Sequence, residues 1–205
     1  MAINPEPQKM TVEEYFQLDN DPSAKYEYVD GYAVVMSGGS LNHSRIAVNI
    51  LYEFRSRMQT GPCQAYNSDA KVIIPARGNY LLPDVTVSCD PDDNNGNDQA
   101  IRSPRLIIEV LSLSTQSDDR GTKFLQYLTL PSLQEYVLVS SHFQFVEIYL
   151  RQADEKWEYQ GYKPDQAVEF KSLNIQLTFA EIYKNVPVPA KFDRLKEVRE
   201  EYTAY

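Results

Sequence analysis

Glu109 is the residue whose setting most demands a chemical reason. It stands inside the almost continuously apolar run Arg105-Leu106-Ile107-Ile108-Glu109-Val110-Leu111. A carboxylate in such a run is costly to bury unless it is paired, protonated or bound to a cation. Two structural readings compete: an edge strand that turns Glu109 outward, or an ion pair with a core arginine. Asp84 is the second carboxylate of interest. It follows Pro83 at the entry to another apolar stretch, twenty-five residues before Glu109. Two carboxylates on neighbouring strands can hold Mg²⁺ or Mn²⁺, with waters and a phosphate oxygen completing the shell. An ion so held polarises a phosphodiester and supplies hydroxide near neutral pH. The Pro-Asp dipeptide alone is weak, because it is common in turns.

Lys123 is the third candidate, in Arg120-Gly121-Thr122-Lys123-Phe124 after the Glu109 strand. It is either a solvated helix lysine or an ammonium brought over the sheet to stabilise charge in a transition state. Glu27 is an exposed hairpin carboxylate or a further acidic contributor. His43 opens a long helical stretch, where it is a capping or packing residue, or else touches a substrate phosphate or acts as an auxiliary base. Nothing in the sequence marks His142.

The elements that must position these residues follow from periodicity and turn chemistry. Thr11 with Glu14 three residues on is a capping-box pattern and predicts a short N-terminal helix. Tyr26 to Met36 reads as a hairpin with Asp30-Gly31 at its turn. After the Gly38-Gly39-Ser40 break, Leu41 to Met58 is the clearest helix, its apolar face made by Ile46, Ile50, Leu51 and Phe54. Cys63 to Asn67 and Lys71 to Pro75 are β-like. Tyr80 to Ser88 reads as one strand interrupted by Pro83, which predicts a strand start or an edge position. Asp90 to Gln99 is a polar surface loop without the closing glutamate of an EF-hand. The Glu109 run predicts a central strand buried on both faces. Ser114 to Leu128 predicts one helix, Glu135 to Ser140 a buried strand, Phe143 to Phe170 an antiparallel meander, and Phe179 to Tyr183 a helical turn. Strand and helix thus alternate in the middle with hairpins at both ends, which is an α/β protein with a mixed sheet flanked by helices.

At 205 residues the chain suits one domain able to bury a proper core. The expected division is a domain over residues 1–189 and a charged, helix-compatible tail over 190–205. The net charge of −9 argues against a generic nucleic-acid coat, since phosphate binding draws on Lys and Arg, but it leaves room for a nuclease with a local site. Cys63 and Cys89 match no metal-ligand spacing. With no signal peptide at the start, they are expected as free thiols of a cytoplasmic protein. No stretch approaches the ~20 apolar residues of a membrane span.

Taken together, Asp84 within Leu-Pro-Asp-Val, Glu109 within Ile-Ile-Glu-Val-Leu-Ser and the following Ser-Thr…Asp-Asp-Arg-Gly-Thr-Lys resemble the cyanobacterial-type restriction-endonuclease family of the PD-(D/E)XK nuclease superfamily. Lys25 to Gly31 and the Asn42-His43 opening of the long helix resemble the N-terminal features of that family. The resemblance runs from about Thr11 to Val188. It implies a restriction-endonuclease-like fold and metal-dependent hydrolysis of nucleic acid, DNA rather than RNA, with Mg or Mn held by Asp84, Glu109 and the Val110 carbonyl. Lys123 and Glu27 would complete the catalytic set, and His43 would contact substrate. One departure stands out. The superfamily pattern has a lysine two residues after the acidic residue, where this chain has Leu111; members of this family move the lysine into the adjacent helix, here Lys123. A homodimer would suit the cutting of two strands. The alternative is a catalytically weak or inactive module on a nuclease fold that binds nucleic acid or protein.

Overall fold

Local chemistry at the N-terminus sets the first elements. The computed structural model describes residues 8–21, 23–36, 38–96, 100–113 and 116–190. In α1 (Val12–Asp19) the Thr11 hydroxyl accepts from the Glu14 N–H while the Glu14 carboxylate accepts from the Thr11 N–H. The strands β1 (Tyr26–Val29) and β2 (Tyr32–Val35) pair antiparallel. Their two-residue turn places Asp30 at φ 50° and Gly31 at φ 92°, left-handed positions that Asp and Gly tolerate. Helix α2 (Leu41–Arg57) is capped by Ser40, whose hydroxyl accepts from the His43 N–H, and it buries Ile46, Ile50 and Phe54 along one face.

The chain continues through β3 (Gln64–Asn67), β4 (Lys71–Ile74), β5 (Asn79–Leu81), β6 (Val85–Ser88), β7 (Ala100–Ile101) and β8 (Pro104–Leu111). Then come α3 (Gln116–Arg120), α4 (Thr122–Tyr127), β9 (Glu135–Ser140), β10 (Val146–Arg151), β11 (Trp157–Tyr162), β12 (Ala167–Phe170), β13 (Ile175–Thr178) and α5 (Phe179–Ile182). One sheet runs β2-β1-β5-β4-β7, a second runs β11-β10-β9-β8-β6-β3, and β12 pairs with β13. β8 lies parallel to β9 and antiparallel to β6, so the larger sheet is mixed. The parallel pair requires a crossover, and α3 with α4 supplies it.

β8 is buried on both faces, as its apolar run predicts. Leu106, Ile108 and Val110 join the core under α2, with Ile46, Ile50 and Phe54. Ile107 and Leu111 point the other way, into a second core with Tyr127, Tyr136 and Leu138. Glu109 alternates with Ile107 and Leu111, so its side chain leaves the strand on that second face.

Three local expectations are corrected. The stretch around Pro83 is not one strand at an edge: β5 and β6 belong to different sheets and both are interior. Pro83 sits in the connector between them, where its missing N–H costs no ladder bond. The helix expected over 114–128 is two short helices broken at Gly121. A Cβ there would lie 2.9 Å from the Ser117 carbonyl oxygen, so only glycine fits the break. Cys63 and Cys89 are not free thiols but form a disulfide. Gln64 pairs with Ser88 across β3 and β6, which sets the two flanking cysteines opposite each other, a juxtaposition their sequence spacing does not reveal.

Among the described residues, no helix is long and apolar enough to cross a membrane. Of the expected tail over 190–205, all beyond Ala190 lies outside the described residues.

Candidate active site

The candidate residues meet where the two sheets part. Asp84 ends the connector from β5 to β6, one residue before Val85, which pairs with Ile108. That register sets Asp84 beside Glu109, and the Asp84 Oδ2 accepts a hydrogen bond from the Val110 N–H at 2.7 Å. From the first turn of α2, His43 brings its Nε2 to 3.1 Å from the same oxygen. The imidazole is held closely from behind, since a Cβ on Gly39 would come within 2.7 Å of His43 Nδ1. The glycine break before α2 therefore serves this packing.

Glu109 is 3% exposed and belongs to an interior strand, so the edge-strand reading fails. The arginine reading fails too. Its Oε1 accepts from the Tyr127 hydroxyl at 3.0 Å and lies 3.5 Å from Lys123 Nζ. Both partners come from α4, one turn apart. Lys123 is buried, with Nζ 2.9 Å from Glu27 Oε1 and 3.7 Å from Asp119 Oδ1. Glu27 comes from β1 in the other sheet and is itself fixed by the Leu82 N–H at 3.0 Å. One ammonium thus gathers carboxylates from β1, β8 and α3.

Burial pushes the Glu109 carboxyl well above the usual carboxylate range. Lys123 pulls it back, while Asp119, Asp84 and Glu27 add to the rise. For Lys123, burial works against the charged form, yet the carboxylates of Glu109, Glu27 and Asp119 outweigh it and raise the pKa above the ordinary lysine range. Burial likewise opposes a charged His43, but the hydrogen bond and charge of Asp84, with Asp119 and the Val110 backbone, raise its pKa.

A cleft of about 850 Å³ opens over this cluster, with Asp84, Glu109, Val110, Asp119, Lys123 and His43 in its wall. All six candidate residues come together: five of them, Asp84, Glu109, Val110, Lys123 and His43, line the cleft, and Glu27 lies behind Lys123. His43 reaches Asp84, where the sequence pointed to substrate. Sequence reasoning missed Asp119 and Tyr127, although their spacing to Lys123, four residues on either side, is a helix-face signal. It also passed over His142, which lies on the cleft rim.

The donor set suits a hard divalent cation. Among the described residues, Asp84 Oδ1 and Glu109 Oε2 have no hydrogen-bond partner, whereas their sister oxygens do. The described residues contain no group of three His, Cys, Asp or Glu side chains arranged as a metal cage. The set is therefore two carboxylates and a nearby backbone carbonyl, which fits an ion that keeps several waters.

This architecture is that of the restriction-endonuclease-like α/β proteins. A crystal structure titled as a "putative nuclease belonging to DUF820" from Anabaena variabilis ATCC 29413 superposes with a TM-score of 0.68 at 18% identity, covering 85% of this chain and 98% of that one. The chain belongs to the Uma2 family, described as "Putative restriction endonuclease", whose pattern matches residues 12–180. Relatives in Synechocystis sp. (strain ATCC 27184 / PCC 6803 / Kazusa) include the uncharacterized protein slr1290, 39% identical over 178 residues, covering 87% of this chain and 93% of the relative. The uncharacterized protein sll1609 is 32% identical over 149 residues, covering 72% and 84% respectively.

Proposed function

We propose that this protein is a divalent-metal-dependent endonuclease that hydrolyses phosphodiester bonds of nucleic acid, DNA in preference to RNA. One observation carries the reading: Glu27, Glu109 and Asp119 surround a single lysine in the wall of a cleft that Asp84 also lines. Four carboxylates against one ammonium leave an excess of negative charge that a divalent cation would balance. Mg²⁺ or Mn²⁺ bound by Asp84, Glu109 and the Val110 carbonyl would polarise the phosphodiester and lower the pKa of a bound water.

The chain's own groups do the rest. The Val110 N–H and His43 orient Asp84, and Lys123 orients Glu109. Lys123 also presents its charge to the phosphoryl oxygens as negative charge develops on them, and Glu27 keeps it in place. A two-fold pair of such sites in a homodimer would cut both strands of a duplex.

Isothermal titration with Mn²⁺ and Mg²⁺ tests the metal centre. Wild type should bind, and Asp84→Asn and Glu109→Gln should each lose at least about tenfold in affinity, since each removes a charged ligand. Equal binding by all three proteins would overturn the reading. A second reading, a binding module on the same fold, is favoured by Leu111, which fills the expected lysine position with core packing. It predicts metal binding without cleavage.

A further inference from the structure

Tyr127 is entirely buried and packs its ring 5.4 Å from that of Tyr136 in the second core. A phenylalanine would satisfy that packing. The hydroxyl needs a partner there, because a buried donor left unsatisfied costs the full desolvation of the group. Its partner is Glu109 Oε1 at 3.0 Å, the same oxygen that Lys123 approaches from one turn away. Two donors from one helix face therefore converge on one oxygen of the carboxylate and leave the other, Oε2, without a partner among the described residues.

We infer that Tyr127 is a positioning residue of the metal centre: its hydroxyl selects which Glu109 oxygen is presented to the cation. This rests on the metal-site reading above. Tyr127 acts through Glu109, so its removal acts first on cation affinity and leaves the rate at saturating metal nearly intact. A purely structural tyrosine would move stability and leave affinity alone.

The test is Mn²⁺ affinity by isothermal titration of the full chain, for wild type, Tyr127→Phe and Tyr127→3-fluorotyrosine, with thermal melts to confirm folding. Loss of an outer hydrogen bond to a ligand typically costs about tenfold or more in metal affinity, and that is the loss expected for Tyr127→Phe. The fluorotyrosine variant keeps the hydroxyl and should retain wild-type affinity. Nuclease assays should show the Tyr127→Phe deficit shrinking to about twofold as Mn²⁺ is raised to saturation, since the lost interaction is to a ligand and not to the transition state. Unchanged affinity in Tyr127→Phe, or an equal loss in both variants, would overturn the inference while leaving the metal site standing. Absence of Mn²⁺ binding by wild type would overturn the metal-site reading and this inference together.

Discussion

Lys123 Nζ lies 3.5 Å from Glu109 Oε1 across fourteen positions of sequence, and the same nitrogen is 2.9 Å from Glu27 and 3.7 Å from Asp119. The lysine is thus the shared counter-charge of three carboxylates, and replacing it has two separable consequences. Lys123→Met should lose roughly 10²–10³ in cleavage rate, the usual cost of one transition-state charge donor. It should also destabilise the metal-free fold by about 3–5 kcal/mol, because removing one partner strands buried charge, and added Mn²⁺ should recover part of that loss. Chemical denaturation in EDTA and in Mn²⁺ measures the second effect. A solvated lysine would instead give a change within about 0.5 kcal/mol, and that result would remove Lys123 from the site.

Glu109 gives a pH dependence of defined sign. Burial raises its pKa in the folded state above the unfolded value, so its protonated form favours folding. That contribution is fully present below the unfolded pKa and is lost as pH rises through the folded one. In EDTA, Glu109→Gln carries no such titration. Its melting temperature should therefore gain on that of wild type as pH rises above the ordinary carboxylate range. A constant gap over that rise would show that Glu109 titrates as it does in the unfolded chain.

Much of this arrangement is legible before folding is considered. The capping box at Thr11, the Asp30-Gly31 turn and the apolar face of α2 are local signals, and each appears where its spacing puts it. The Glu109 run exposes its own anomaly, because a carboxylate among Leu, Ile and Val has no cheap explanation. What the sequence does not carry is long-range placement. Pro83 reads as a strand start or an edge, yet it marks the passage between two sheets. The disulfide depends on the register of β3 against β6, which no single-strand pattern encodes. Asp119 and Tyr127 flank Lys123 at helical spacing, but their convergence on it and on Glu109 depends on how α3 and α4 settle over β8.

The Cys63–Cys89 disulfide ties β3, the outer strand of the six-stranded sheet, to β6, and it closes a loop across a separation of 26 residues. A loop of that size is worth about 3 kcal/mol when closed by a disulfide. Urea denaturation with and without reductant should show a drop of that order in the reduced protein, and Cys63→Ser should match it in the absence of reductant. If the midpoint does not move on reduction, the bridge contributes no stability in solution.

The central claim is that Asp84, Glu109 and Lys123 form one nuclease centre, and single-turnover cleavage addresses it most directly. Labelled DNA would be mixed with excess wild type, Asp84→Asn, Glu109→Gln or Lys123→Met, in Mn²⁺ and in EDTA, with an RNA of the same sequence in parallel. Wild type should cut the DNA in Mn²⁺, cut the RNA more slowly, and stop in EDTA, while each variant falls by about 10² or more in rate. Cleavage at wild-type rates by the variants, or no cleavage by a wild-type protein that binds Mn²⁺ through Asp84 and Glu109, would contradict it.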